Sequence, residues 1–335
     1  MPVLVTGGAG FIGCHSAKHL SETGNDVVVY DNLRTGRLKN VRWGPFVSGD
    51  IADLALLRQT IRQYGITAVL HLAASAHAGE SVAHPDAYYS NNVFGTMSVL
   101  DAMAAEGVRA LVFASSCAVY GNCDSEKVEE QEPLRPISPY GESKLIVERL
   151  LPKYQRDFGL HWAALRYFNA AGAEADLGED TETSLRIVPR AIHAGCVTGD
   201  PFHIYGTWYP TVDGTAVRDY VHVADIARAN RLALDYVSRG NPGVALNIGS
   251  GRGASVRQIV DAVGCFGREV KVAEFPARPG DPASVVSDAS KAREVLGWVP
   301  TCSSVATIVE TAIASHYRQQ QADRHAAQGI DSAAG

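Results

Sequence analysis

The sequence predicts an α/β protein: a doubly wound parallel sheet of the Rossmann type, with a second, smaller α/β substrate domain. Three observations carry the prediction. A glycine-spaced turn joins an apolar run to a segment of helical period at the N-terminus, an aspartate closes the next apolar run, and further apolar runs alternate with helical periodicity as far as about residue 170.

"PVLVTGG" (2–8) is an apolar run with β-branched residues, and "AGFIGCHSAKHL" (9–20) then takes helical spacing, so its glycines fall at a strand-to-helix turn. Gly7, Gly10 and Gly13 fit G-x-x-G-x-x-G, in which glycine permits a tight turn, close approach to a pyrophosphate and close helix packing, with amides and helix dipole facing the phosphates. A glycine turn alone also reads as a plain tight connection. "DVVVYD" (26–31) shifts the balance, because Asp31 ends the second run about twenty residues past the loop, where a carboxylate accepts from a ribose diol. The same charge repels a 2′-phosphate, so NAD is expected rather than NADP.

"SGD" (48–50) ends a short strand, and Asp50 reads equally as a contact to the adenine edge or as the cap of the helix that follows. "AVLHLAA" (68–74), "ALVFASS" (110–116) and "HWAALRYFN" (161–169) continue the alternation. Ligands bind beyond the carboxyl ends of such strands, so Ala73, Ser115, Ser116 and Asn169 are expected to face one crevice.

In "SPYGESK" (138–144), Ser138 caps a helix and Pro139 starts it, which puts Tyr140 and Lys144 one turn apart on the same face. A phenol is a poor base at neutral pH, and burial raises its pKa further. An ammonium about 5 Å away at an effective dielectric near 20 is worth roughly 3 kcal/mol, about two pKa units, so Lys144 is expected to bring Tyr140 down. Ser116, at a strand end, can orient the proton of a reacting sugar hydroxyl. Cys117 reads as a small buried thiol.

Beyond residue 170 the alternation breaks into short strands and turns, with Asp225 expected to cap a helix and another helix beginning near Ser255. The expected organisation is a nucleotide domain over 1–170, rejoined at about 243–252, a smaller substrate-binding domain over 171–317, and a frayed tail over 318–335 without an apolar face. With 46% hydrophobic and 20% charged residues and a net charge of −6, the composition is that of a globular protein and offers no electrostatic reason for a nucleic-acid partner. No signal peptide or membrane-spanning run stands out, so the protein is read as cytoplasmic. Six scattered cysteines without a C-x-x-C cluster predict thiols and no metal site.

The motifs "TGGAGFIG", "YDN", "HLAA", "YYSNNVFGT", "SSCAVYG", "PYGESK", "RYFNAAGA", "DGTAVRDYVHVAD", "NIGSG" and "RPGD" stand in the order and spacing of the extended short-chain dehydrogenase/reductases. Over nearly the whole chain, to about residue 300, the sequence most resembles the UDP-galactose (UDP-glucose) 4-epimerases within that superfamily. The resemblance implies that Tyr140 takes the proton of the sugar 4-hydroxyl, Lys144 binds the nicotinamide ribose, and Ser116 supports the transfer. Bound NAD accepts the C4 hydride and returns it to the other face of a 4-keto sugar.

The expected NAD contacts are Gly7, Gly10, Phe11, Ile12, Gly13, Asp31, Asn32, Asp50, Ile51, Leu72, Ala73, Ala74, Asn91, Ser115, Tyr140, Lys144, Tyr167 and Phe168. For the UDP-sugar they are Ser116, Tyr140, Asn169, Arg186, Arg218, Arg278, Asp281 and Val285; Arg218 and Arg278 match diphosphate-gripping arginines and Asp281 a carboxylate at the uridine ribose. A homodimer through helices of the first domain is implied as well.

The sequence departs from the pattern at Ala76, where well-known members carry lysine, and at Arg186, where asparagine is common. Arg186 reads either as a replacement positive charge or as a surface residue. Val285 stands where a bulky tyrosine in some relatives crowds out N-acetylated sugars, so UDP-N-acetylglucosamine and UDP-N-acetylgalactosamine are expected to fit too. A UDP-glucuronate epimerase or decarboxylase is a rival reading, since Arg186 could meet a carboxylate. A 4,6-dehydratase is disfavoured by Cys117 and Ala118, which stand where its Asp-Glu pair would be, and a non-catalytic nucleotide-sugar sensor by the retention of Ser116, Tyr140 and Lys144 together.

Overall fold

A computed structural model describes residues 1–123, 125–266, 269–278 and 281–331. Seven parallel strands form the main sheet: β1 (Pro2–Thr6), β2 (Asp26–Asp31), β3 (Phe46–Ser48), β4 (Ala68–His71), β5 (Ala110–Ser116) and β6 (His161–Tyr167), with β10 (Val244–Ile248) at one edge. Their spatial order is β3-β2-β1-β4-β5-β6-β10, so the direction of winding reverses between β1 and β4 and opens a crevice at their carboxyl ends.

The two-residue period of the strands sorts the core into two layers. Val3, Val5, Leu70, Val112 and Leu165 face one side, Leu4, Val69, Leu111, Phe113 and Ala164 the other. Ala17 and Leu20 of α1 (Phe11–Glu22) cover the first face, together with Ile226, Ala229, Ala233 and Leu234 of α8 (Val223–Ser238). The second is covered by α2 (Leu54–Gln63), α5 (Gly95–Ala105) and α6 (Pro139–Phe158), through Leu57 and Ile61, Val99, Leu100 and Met103, and Val147 and Leu151. The short helices α3 (Ala78–Ala83) and α4 (Pro85–Tyr89) connect β4 to α5.

The other strands are short. β7 (Asn169–Ala171), β11 (Gly253–Ser255) and β13 (Ser284–Val285) pair with β9 (Val217–His222), while β8 (Phe202–Tyr205) pairs with β12 (Val272–Phe275). These strands pack with α7 (Ile187–Ile192), α9 (Val256–Phe266) and α11 (Val305–Asp331) around Ile192, Ile204, Tyr220, Ile259 and Ile308. The remaining helix, α10 (Ser290–Leu296), lies beside β10. Among the described residues no helix is long and apolar enough to cross a membrane.

Two expectations are corrected here. Asp225 does not cap α8: His222 does, its Nδ1 accepting from Ala224 N at 3.1 Å. Asp225 is instead fully buried and accepts from the amides of Thr301 and Cys302 and from the hydroxyl of Ser303 (2.6 Å), tying the approach to α11 onto α8. The segment after residue 318 is helical to Asp331 rather than frayed; residues 332–335 lie outside the described residues. It has no apolar stripe, but the Gln319 amide donates to the carbonyls of Asp176 (2.9 Å) and Gly178 (2.8 Å), and Lys39 pairs with Asp323 at 3.7 Å.

Candidate active site

One cavity of about 1070 Å³ runs from the phosphate-loop end of β1 to the strands around β9. At its first end, Gly7 has φ +71, and a Cβ there would lie 2.6 Å from Ala73 N; at Gly13 a Cβ would lie 2.0 Å from Gly7 O. Only glycine lets this turn and the start of α1 close so tightly. Gly10 caps α1 without a side-chain hydrogen bond, so backbone rather than a side chain meets the cavity beside Phe11 and Ile12. That is a cradle for a diphosphate.

Asp31 is held by the amides of Ala9 (3.0 Å) and Leu33 (2.8 Å) and faces the cavity. Burial pushes its pKa up, while the two amides pull it down. Amides and carboxylate together fit the diphosphate and ribose diol of NAD. Asn32, Ile51, Leu72, Ala73, Ala74 and Asn91 line the same end. Asp50 does not; its carboxylate accepts from Asn32 Nδ2 (2.9 Å) and Ala52 N, so it braces a lining residue from outside. Nor does it cap α2, a position taken by Asp53.

Midway along the cavity, Ser115, Ser116, Tyr140, Lys144, Tyr167 and Phe168 converge. Ser138 caps α6 by accepting from Gly141 N (3.2 Å), and Pro139 opens it, which aims Tyr140 and Lys144 from one turn. Burial raises the Tyr140 pKa; a hydrogen bond from Ser116 and the charge of Arg186 pull the other way without reversing it. Burial drops Lys144 to about 7, with the Glu148 carboxylate opposing.

In the protein alone burial thus outweighs the expected depression of the tyrosine, whose pKa stands above its ordinary value. Lys144 Nζ donates to Ala114 O at 2.8 Å and lies 4.9 Å from the centre of the Phe113 ring, so it serves β5 rather than the phenol. Desolvation of both groups outweighs the attraction that a distance-only argument assigns them.

At the far end Asn169, Arg186, Arg218, Arg278 and Asp281 line the wall. Arg218 is paired with Asp281, and the Arg278 guanidinium stacks 4.0 Å from the centre of the Tyr205 ring. Pro279 and Gly280 of the "RPGD" motif lie outside the described residues. Val285 does not reach the cavity: pairing of β13 with β9 turns it into a cluster with Tyr120, Leu145 and Phe168, behind Phe168 and Cys117, which do.

Several supporting residues escaped the sequence reading. Asn92 clamps Ser75 to α6, accepting from Ser75 N (2.8 Å) and donating to Ser75 O (2.9 Å) and Ser143 Oγ (3.1 Å). Glu148 accepts from Ser115 Oγ at 2.5 Å and pairs with buried Arg166 at 2.6 Å, locking the strand end that carries Ser116. Arg37 pairs with Asp180, and both line the cavity, joining the two sides of its rim. Of these only Glu148 carried a signal, two turns beyond Tyr140 in the same helix.

The profile of the NAD dependent epimerase/dehydratase family matches residues 3–249. A UDP-glucose 4-epimerase of Rhizobium meliloti (strain 1021) is 43% identical over 322 residues, 95% of this chain and 98% of that protein. The crystal structure of UDP-glucose 4-epimerase from Brucella ovis in complex with NAD superposes with a TM-score of 0.91 at 46% identity, covering 95% of this chain and 98% of that one. The UDP-glucose-4-epimerase of Stenotrophomonas maltophila, with bound NAD and formylated UDP-arabinopyranose, gives 0.88 at 36% identity and covers 97% and 99%. Fold, cavity and kinship agree, and the chain belongs to the NAD dependent epimerase/dehydratase family, in its UDP-glucose 4-epimerase branch.

Proposed function

We propose that this protein interconverts UDP-glucose and UDP-galactose at C4 through a 4-keto sugar, with NAD held throughout. The observation that carries the reading is that one cavity joins the glycine turn and Asp31 to Ser116 and Tyr140 and then to Arg218 and Asp281. Gly7, Gly10, Gly13 and Asp31 would hold the dinucleotide. When bound, NAD supplies the hydride acceptor and, in its oxidised form, a positive charge near the phenol.

In this reading Tyr140 takes the proton from O4 and later returns it, with Ser116 orienting the transfer. Lys144 would bind the nicotinamide ribose. Arg218 would leave Asp281 to grip the substrate diphosphate, while Asp281 turns to the uridine ribose. Arg278 lies ready beside them.

Incubating purified protein with UDP-galactose and no added NAD should yield UDP-glucose; absence of product with NAD bound would refute the reading. The activity extends to the N-acetylated pair, since Val285 sends no bulk into the cavity, and a conversion confined to the plain sugars would remove that extension. The working unit is a homodimer formed through helices of the main-sheet region, which sedimentation equilibrium can test.

A further inference from the structure

The connection from β7 to α7 crosses the phosphate cradle at the start of α1. Near its beginning the amide of Glu174 donates to His15 Nε2 (3.1 Å), and at its end the Arg186 guanidinium lies 5.4 Å from the centre of the Phe11 ring. Both rings belong to α1, one turn apart. Between these two anchors Gly178, Asp180 and Ser184 line the cavity. Residues 174–186 are therefore a strap over the seat of the dinucleotide diphosphate.

Its two edges are fastened differently. Towards α11, Ser315 Oγ accepts from Gly178 N (2.9 Å) and the Gln319 amide holds two strap carbonyls, so strap and helix form one body. Towards the main sheet four ion pairs cross the seam: Arg37 with Asp180, Arg42 with Asp176 by two parallel bonds (2.8 and 2.6 Å), Lys18 with Glu174 (3.4 Å) and Lys39 with Asp323 (3.7 Å). In each the cation stands on α1 or in the β2–β3 connection, and the anion on the strap or α11. That connection is pinned to the phosphate turn, Arg37 N and Asn40 Nδ2 both donating to Ala9 O (3.1 and 3.2 Å). Leu33 (φ +57) and Ala175 (φ +50), the two non-glycine residues with positive φ among the described ones, stand at the openings of the connection and of the strap. Backbone in that region persists only where its surroundings hold it.

One half-exposed pair is worth little and is screened by salt. Four pairs of one polarity along one seam, one of them a bidentate guanidinium–carboxylate fork, reinforce each other. We propose that the seam is a latch, in which Arg37–Asp180 and Arg42–Asp176 hold the strap shut and set how fast NAD escapes. The proposal rests on the epimerase reading for its purpose: NAD lost between the two hydride transfers would strand the sugar as a ketone. The four side chains are positioning residues, since they act on the strap and not on the reacting atoms.

The test follows entry of radiolabelled NAD into purified protein that carries unlabelled NAD, a readout independent of turnover. Asp176→Asn combined with Asp180→Asn should exchange about 25-fold faster than wild type at low salt, as for two pairs of about fivefold each. Raising NaCl from about 50 mM to about 500 mM should narrow that gap severalfold, because wild type speeds up while the variant hardly responds. A general loosening of the fold would leave the gap constant. Arg37→Asp alone should also exchange faster, and adding Asp180→Arg, which restores the pair in reverse, should return the rate to within about threefold of wild type. Equal exchange by wild type and the doubly neutralised variant, a gap that salt leaves unchanged, or a reversed pair no slower than Arg37→Asp overturns the latch. Should the substituted proteins not fold, wild type decides: exchange that does not quicken between the two salt concentrations overturns it. Failure of wild type with NAD bound to convert UDP-galactose overturns the epimerase reading instead, since exchange is read without turnover.

Discussion

At its cofactor end the cavity is built on the glycine turn that joins β1 to α1, a main-chain wall between consecutive elements, with the Asp31 carboxylate at the end of β2 and Asn32, Ile51 and Leu72 around it. At the sugar end it is walled by side chains drawn from segments near residues 76, 140, 169, 186, 218 and 278. A main-chain wall is specified by where glycine must stand. A side-chain wall can be changed by one substitution. The difference teaches that the seat of the dinucleotide diphosphate is tied to the fold itself, whereas substrate choice is carried by replaceable side chains.

Four measurements can break or sharpen that contrast. The largest effect is expected midway between the ends: Tyr140→Phe should lower kcat by about 10³-fold, in the range of lost acid–base catalysis, with bound NAD unchanged by absorbance. Loss of NAD from this variant would mean that the phenol belongs to the cofactor wall instead. Arg218→Ala should then raise KM for UDP-galactose by about 30-fold or more, as for removal of one member of a buried charge pair, and leave NAD content intact.

Gly13→Ala is expected to act on the opposite end alone. Its Cβ would meet Gly7 O at 2.0 Å, and overpacking of about 1–3 kcal/mol translates to about 5–150-fold in NAD affinity. The sugar KM of the fraction that retains NAD should hardly move. A rise in KM without loss of NAD would dissolve the distinction.

The smallest effect concerns pH. Burial places Lys144 at about 7 in the folded protein, below the ordinary 10.5. Between those values the unfolded chain keeps a proton that the folded chain has released, so the Lys144 contribution to stability rises with pH through that window. In NAD-free protein, Lys144→Met should flatten the rise in Tm between pH 7 and pH 10 by a few degrees. Parallel curves for the two proteins would show that Lys144 is charged in the folded state.

Legibility followed the same division. Gly7, Gly13, Asp31, Tyr140 and Ser116 could be found because each belongs to a local pattern: a turn, a strand end, one helical turn. Asn92, Arg37 and Asp180 could not, since their partners Ser75, Ser143 and one another lie across connections that no local period encodes. Val285 was assigned to the wall from motif position, yet strand pairing turns it behind Phe168.

The sequence by itself determined the alternation of strands and helices, the place of the phosphate turn and the choice of an acidic ribose acceptor. Periodicity and glycine sterics act over a few residues, so a linear reading captures them. Only the tertiary structure decided how charge is shared within the cavity: that Lys144 turns to Ala114 O, that burial holds the Tyr140 pKa up, and that Arg218 rests on Asp281. Desolvation and pairing depend on what surrounds each group in space, and that is set only when distant segments close around one another.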